Sequence, residues 1–133
     1  MKVPYLDLKV YDDKLKKDLL NCVERILEHG RIIEGEEQSE FEEKFAQEIG
    51  AKYALGVGSG SSALYLALLG SGIGPGDEVI TTPFTWIITI NAISATGATP
   101  IFVDINEDFN IAPDKIEKAI TKKTKAIVPM HVA

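Results

Sequence analysis

Between Tyr53 and Leu68 the chain reads Tyr-Ala-Leu-Gly-Val-Gly-Ser-Gly-Ser-Ser-Ala-Leu-Tyr-Leu-Ala-Leu: an apolar run, a patch of Gly and Ser, then an Ala/Leu-rich segment. The pattern predicts a strand over 53–58 turning directly into a helix over 61–70. At such a turn the first helical N–H groups have no intrahelical partner, and the helix dipole adds partial positive charge. A phosphate satisfies both. Gly58 and Gly60 let the backbone come close, and the hydroxyls of Ser59, Ser61 and Ser62 are placed to meet an anion or to cap the helix.

Three readings of this stretch compete. It is an ordinary Gly-rich turn with a Ser cap on a core helix, a dinucleotide-binding turn, or a phosphate cradle of another class. Gly56 and Gly58 begin the dinucleotide pattern, but its third glycine position holds Ser61, and no acidic residue ends a second strand where the ribose would need it. A P-loop is excluded because no Lys lies between Lys52 and Lys115.

With 133 residues, 45% of them hydrophobic, the chain has the size and apolar content for one core. Its net charge of -6 is spread along the chain without basic runs, which argues against a nucleic-acid partner. No apolar run approaches the roughly 20 residues of a membrane span, and no basic-then-apolar leader opens the sequence, so a cytoplasmic protein is expected. Cys22, the single cysteine, falls on an apolar helix face without a His or second Cys nearby and reads as a core filler. No metal site is expected.

Residues 1–11 have no helical period and contain Pro4; they read as an extended arm whose Tyr5, Leu6 and Leu8 need a cover such as a second subunit. From Asp12, Leu15, Leu19, Cys22, Val23, Ile26 and Leu27 recur at helical spacing until Gly30, predicting an amphipathic helix. After the loop 31–35, Ser39 and Glu42 read as a capping box, with Phe41, Phe45, Ala46 and Ile49 as a buried stripe ended by Gly50.

Past Tyr53, strands over 53–58, 78–82, 100–104 and 125–130 alternate with helices over 61–70, 83–96 and 113–120. This is the rhythm of βαβ units: an α/β fold with layers of helices around a mainly parallel sheet. The first two of these helices are almost wholly apolar, which predicts cover on both sides. Ligands of such sheets bind beyond the carboxyl ends of the strands, where Ser59, Pro83 and His131 arrive. The chain stops three residues after a strand of buried type, so it is expected to be the front part of a longer protein, with residues 1–35 as arm, helix and substrate-side loop and 36–133 as the first part of a large domain.

Trp86, the only tryptophan, opens the helix after the second strand. Its plain alternative is core packing. A flat aromatic at the same sheet edge as a phosphate cradle suits a phosphorylated planar ring, pyridoxal phosphate before a nucleotide.

Seven ordered blocks carry a specific resemblance: Val3-Pro-Tyr-Leu-Asp-Leu-Lys9; Gly30 and Gly35 leading to Phe41-Glu42; Gly58-Ser-Gly-Ser-Ser-Ala-Leu64; Gly74-Pro-Gly-Asp-Glu-Val-Ile80; Thr82-Pro-Phe-Thr-Trp86; Gly97-Ala-Thr-Pro-Ile-Phe-Val-Asp104; and Lys123-Thr-Lys-Ala-Ile-Val-Pro-Met-His131. In order and spacing the chain resembles the front part of the DegT/DnrJ/EryC1/StrS family of pyridoxal-phosphate sugar aminotransferases, whose large domain has fold type I.

The resemblance implies that the cofactor phosphate lies on Gly60, Ser61 and Ser62, with Ser61 and Ser62 where the family usually has Thr and Ala, and that the pyridine ring stacks on Trp86. It implies nucleotide-sugar contacts at Ser59, Arg31, Ile33 and Tyr5. His131 matches a common strand-end His, read here as a hydrogen-bonding residue without a catalytic role. The family's Asp that pairs with the pyridine nitrogen and its Schiff-base Lys belong to motifs beyond Ala133, so no catalytic residue is assigned and the chain alone is expected not to transaminate.

The implied whole protein is a homodimer that moves an amino group, usually from glutamate, to a keto group of a nucleotide-linked sugar in polysaccharide or amino-sugar biosynthesis. Two alternatives stand beside it: a non-catalytic piece that acts only as a partner subunit, and a Rossmann-type oxidoreductase.

Overall fold

The computed structural model describes residues 4–131; Met1 to Val3, the start of the expected arm, and Val132 and Ala133 lie outside the described residues. The chain divides into two compact units, residues 1–56 and 57–133.

In the first unit, residues 4–11 belong to no helix or strand and are exposed. Asp12 then caps helix α1 (Asp13–His29), its carboxylate accepting the N–H groups of Lys14 and Leu15 at 2.8 and 3.0 Å. Gly30, at φ 69°, closes the helix from the left-handed region, as expected. The apolar stripe is present, but Leu15, Leu19, Val23 and Leu27 are all at least half exposed, and α1 has no buried residue. Cys22, expected in a core, is therefore only half-buried, because nothing among the described residues of this unit closes over the stripe.

Helix α2 (Glu36–Glu48) corrects the expected capping box: its N-cap is Gly35, and Ser39 lies inside the helix. Glu36 and Glu37 are good helix formers whose charge suits the positive end of the dipole, so the helix starts a turn early. The expected buried stripe is corrected as well. Only Ala46 is buried, while Phe41 and Phe45 stack on each other with centroids 5.6 Å apart and remain about half exposed.

Residues 53–58, predicted as a strand, form none. Tyr53 and Leu55 point outward and Ala54 and Gly56 are half-buried, an extended alternation with no ladder partner among the described strands.

The second unit carries helix α3 (Gly60–Gly70), strand β1 (Glu78–Thr81), helix α4 (Ile87–Ala95), strand β2 (Thr99–Phe102), helix α5 (Pro113–Ala119) and strand β3 (Thr124–Ile127). The strands form a parallel sheet in the order β2-β1-β3, each shorter at its carboxyl end than its apolar run suggested. Neighbouring residues of β1 serve opposite faces. Val79 packs with Leu68, Ala92 and Ile93 of α3 and α4, whereas Ile80 packs with Val103, Ile111 and, from α5, Ile116 and Ala119. The result is three layers. The first crossover runs from β1 out to β2 through α4, and the second runs the opposite way, from β2 back across β1 to β3 through α5, so right-handed connections put α4 and α5 on opposite faces.

Helix α4 begins at Ile87, four residues later than predicted, because Pro83 and the Phe84 N–H, which donates to Thr82 Oγ1 at 3.3 Å, hold a turn first. Gly97, at φ 86°, ends it as expected. The expected two-sided cover of α3 and α4 is corrected too: Leu66, Leu69 and Ile87 are between two-fifths and three-fifths exposed, and one face of each helix is open among the described residues.

Candidate functional site

Ser59 stands at the N-cap of α3 with extended backbone. Its hydroxyl accepts the Ser62 N–H at 3.1 Å and lies 3.0 Å from the Ser62 hydroxyl. The two serines thus close on each other. The N–H groups of Gly60 and Ser61, in the first turn, have no acceptor among the described residues and keep their positive end of the dipole toward solvent. A β-carbon built at Gly58 or Gly60 would meet nothing within 4 Å, so the chain itself does not plug this mouth.

Trp86 is the N-cap residue of α4 and is 75% exposed, so its indole is not core packing. It lines a hollow of about 270 Å³ with Pro83, Phe84, Thr85 and Met130. Met130 was not among the expected site residues; its signal was its place just past β3, at the carboxyl edge of the sheet. His131 beside it is exposed and makes no hydrogen bond with another described residue.

Topology brings the mouth and the indole to one edge. α4 starts where β1 ends, and α3 ends where the turn into β1 begins, so both helices run against the strands with their N-termini at the carboxyl edge. The two helices also pack on each other through the core around Leu68 and Ile93.

In the first unit, the loop after α1 carries Arg31 and Ile33, both exposed; Tyr5 in the arm is fully exposed. The loop is pinned by contacts the sequence did not announce. His29 Nδ1 accepts the Arg31 N–H at 3.0 Å, which leaves the ring proton on Nε2 to face the Glu37 carboxylate at 3.2 Å. Arg25 adds a longer ionic contact to Glu37 at 3.6 Å. Glu37 is held below the usual glutamate range, first by its own backbone N–H and then by His29 and Arg25. Gly35 is required where it stands, since a β-carbon there would come within 2.7 Å of the Arg31 carbonyl.

Among the described residues, no group of three or more His, Cys, Asp or Glu is placed to hold a metal ion, and no helix is long and apolar enough to cross a membrane.

A family profile, the DegT/DnrJ/EryC1/StrS aminotransferase family, matches residues 13–133. The chain belongs to this family. Within it, the chain is 46% identical over 132 residues to dTDP-3-amino-3,4,6-trideoxy-alpha-D-glucose transaminase from Streptomyces venezuelae, covering 98% of this chain and 35% of that protein. Its fold matches the crystal structure of S. venezuelae DesV in complex with a ketimine intermediate, with a TM-score of 0.91, 46% identity and coverage of 98% and 35%. It also matches NtdA from Bacillus subtilis with bound cofactor PMP, with a TM-score of 0.90, 38% identity and coverage of 98% and 31%. The chain thus spans about a third of the length of these DegT/DnrJ/EryC1/StrS relatives. Its three-stranded parallel sheet with flanking helices is a fragment of the type I pyridoxal-phosphate aminotransferase fold.

Proposed function

We propose that this chain is the N-terminal part of a pyridoxal-phosphate aminotransferase that moves an amino group, from glutamate, to a keto group of a nucleotide-linked sugar. One observation carries the reading: the open amides of Gly60 and Ser61 and the exposed indole of Trp86 arrive at the same sheet edge. The residues fit the cofactor. Its phosphate would lie on the Gly60 and Ser61 N–H groups, with the Ser61 and Ser62 hydroxyls as further donors, where the helix dipole favours negative charge. Its ring would stack on the indole, which holds the plane and keeps water off one face.

When bound, pyridoxal phosphate supplies an electron-withdrawing ring that lets an amino group pass from donor to acceptor carbon. Residues 36–133 are then the first part of the cofactor-binding domain. Substrate contacts fall on Ser59 and, in the first unit, on Arg31, Ile33 and Tyr5. Tyr5 and Leu8 are exposed as a subunit-packing arm would be, and the working protein is a homodimer.

No residue of this chain is assigned a catalytic role. Lys122, Lys123 and Lys125 lie exposed around the turn into β3, far in character from a buried Schiff-base lysine.

The test is to purify the whole protein with pyridoxal phosphate, record its visible absorbance, and assay glutamate against a panel of keto nucleotide sugars. Absorbance of a lysine-linked cofactor together with glutamate-dependent amination supports the reading. Nicotinamide binding without that absorbance points instead to an oxidoreductase.

A further inference from the structure

The loop from β2 to α5 contains a residue in a conformation that its side chain disfavours. Phe109 sits at φ 65°, in the left-handed region where Gly or Asn is comfortable and an aromatic is not. The turn around it is tied down on both sides. The Phe109 N–H donates to the Asn106 carbonyl at 3.0 Å, the Asn106 N–H donates to the Asn110 carbonyl at 2.9 Å, and Ile105 bridges Ile111. The Asp108 carboxylate accepts the backbone and side-chain N–H groups of Asn110, both at 3.1 Å.

This conformation puts the Phe109 ring against Phe84, with centroids 5.4 Å apart and planes tilted by 32°. Both rings stay about half exposed, so the contact is not core filling. Phe84 belongs to the turn that ends in Trp86 and lines the same hollow. Strained backbone persists where the surrounding structure imposes it, and here it delivers one ring to one partner.

We propose that Phe109 is a positioning residue for Trp86: through Phe84 it fixes the Pro83–Trp86 turn and so the angle at which the indole meets a ring stacked on it. Only the purpose of the indole rests on the pyridoxal-phosphate reading; the positioning itself does not.

Trp86 is the only tryptophan, so its emission reports on the indole directly. The experiment is time-resolved fluorescence anisotropy of the chain as Phe109→Gly, Phe109→Tyr, Phe84→Leu and the Phe84→Leu/Phe109→Gly double variant, with a thermal melt of each. Phe109→Gly suits the backbone, so the melt holds. Loss of the aromatic pair raises the population of freely rotating indole about two- to tenfold. Phe109→Tyr restores the original decay, Phe84→Leu reproduces the loosened one, and the double variant is no looser than Phe84→Leu.

An unchanged decay in both Phe109→Gly and Phe84→Leu, or effects that simply add, would overturn the proposal. Should Phe109→Gly not fold, Phe84→Leu decides alone. The cofactor reading fails on a different observation, namely a whole protein carrying Trp86→Ala that binds pyridoxal phosphate as tightly as the unsubstituted one.

Discussion

The Glu42 carboxylate accepts the Gly56 amide at 2.7 Å across 14 residues, tying α2 to the extended segment that follows it. The Gln38 side-chain amide donates to the same oxygen at 3.1 Å. The Gly56 N–H, and after it Gln38, hold Glu42 below the ordinary glutamate value of 4.5. A depressed carboxylate stabilises the fold fully above its unfolded value, and that contribution is lost as pH falls through the lower folded one. In an acid titration followed by NMR, the Gly56 amide should therefore shift with a midpoint below 4.5. Glu42→Gln, which keeps an acceptor, should abolish that step and keep the tether, whereas Glu42→Ala should lose both.

Ser59 separates stability from binding. Its hydroxyl caps α3, so Ser59→Ala should cost about 1 kcal/mol in chemical denaturation. Ser59→Asp should keep the cap and the stability, because Asp caps well and suits the dipole. Its charge would face the phosphate mouth, so affinity for pyridoxal phosphate in the whole protein should fall at least tenfold. Equal affinity in Ser59→Asp and the unsubstituted protein would place the phosphate elsewhere.

Gly97 is demanded by both its backbone and its neighbour. At φ 86°, a β-carbon there would also lie 2.8 Å from Pro75 Cγ. Gly97→Ala should destabilise the second unit by about 2 kcal/mol or more, measured as a lower denaturation midpoint with unchanged slope.

His29 holds the loop that carries Arg31. Its Nδ1 is the acceptor for the Arg31 N–H, so His29→Ala should speed amide exchange at Arg31 about three- to tenfold. His29→Asn, whose side-chain carbonyl sits near the place of Nδ1, should restore most of the protection although it no longer reaches Glu37.

What the sequence made legible was what depends on local chemistry. Asp12 and Gly30 mark the ends of α1, Gly97 that of α4, and the run 78–82 marks a strand, whose Val79 and Ile80 the structure buries on opposite faces. The Gly/Ser turn before α3 was legible for the same reason. What failed depends on partners distant in sequence. Residues 53–58 have the composition of a strand, but a strand exists only where another pairs with it. Ser39 and Glu42 have capping-box spacing, yet Glu36 and Glu37 start the helix sooner and Glu42 turns to Gly56. No periodicity announces that His29 meets Glu37 or that Phe109 meets Phe84, since each contact joins two segments across a turn or between loops.

The most direct measurement is a crystal structure of the whole protein grown with pyridoxal phosphate. The cofactor phosphate is expected on the N–H groups of Gly60 and Ser61, with the pyridine ring stacked on the Trp86 indole. A cofactor bound away from these residues, or a mouth at Gly60 filled by the protein's own side chains, would contradict it.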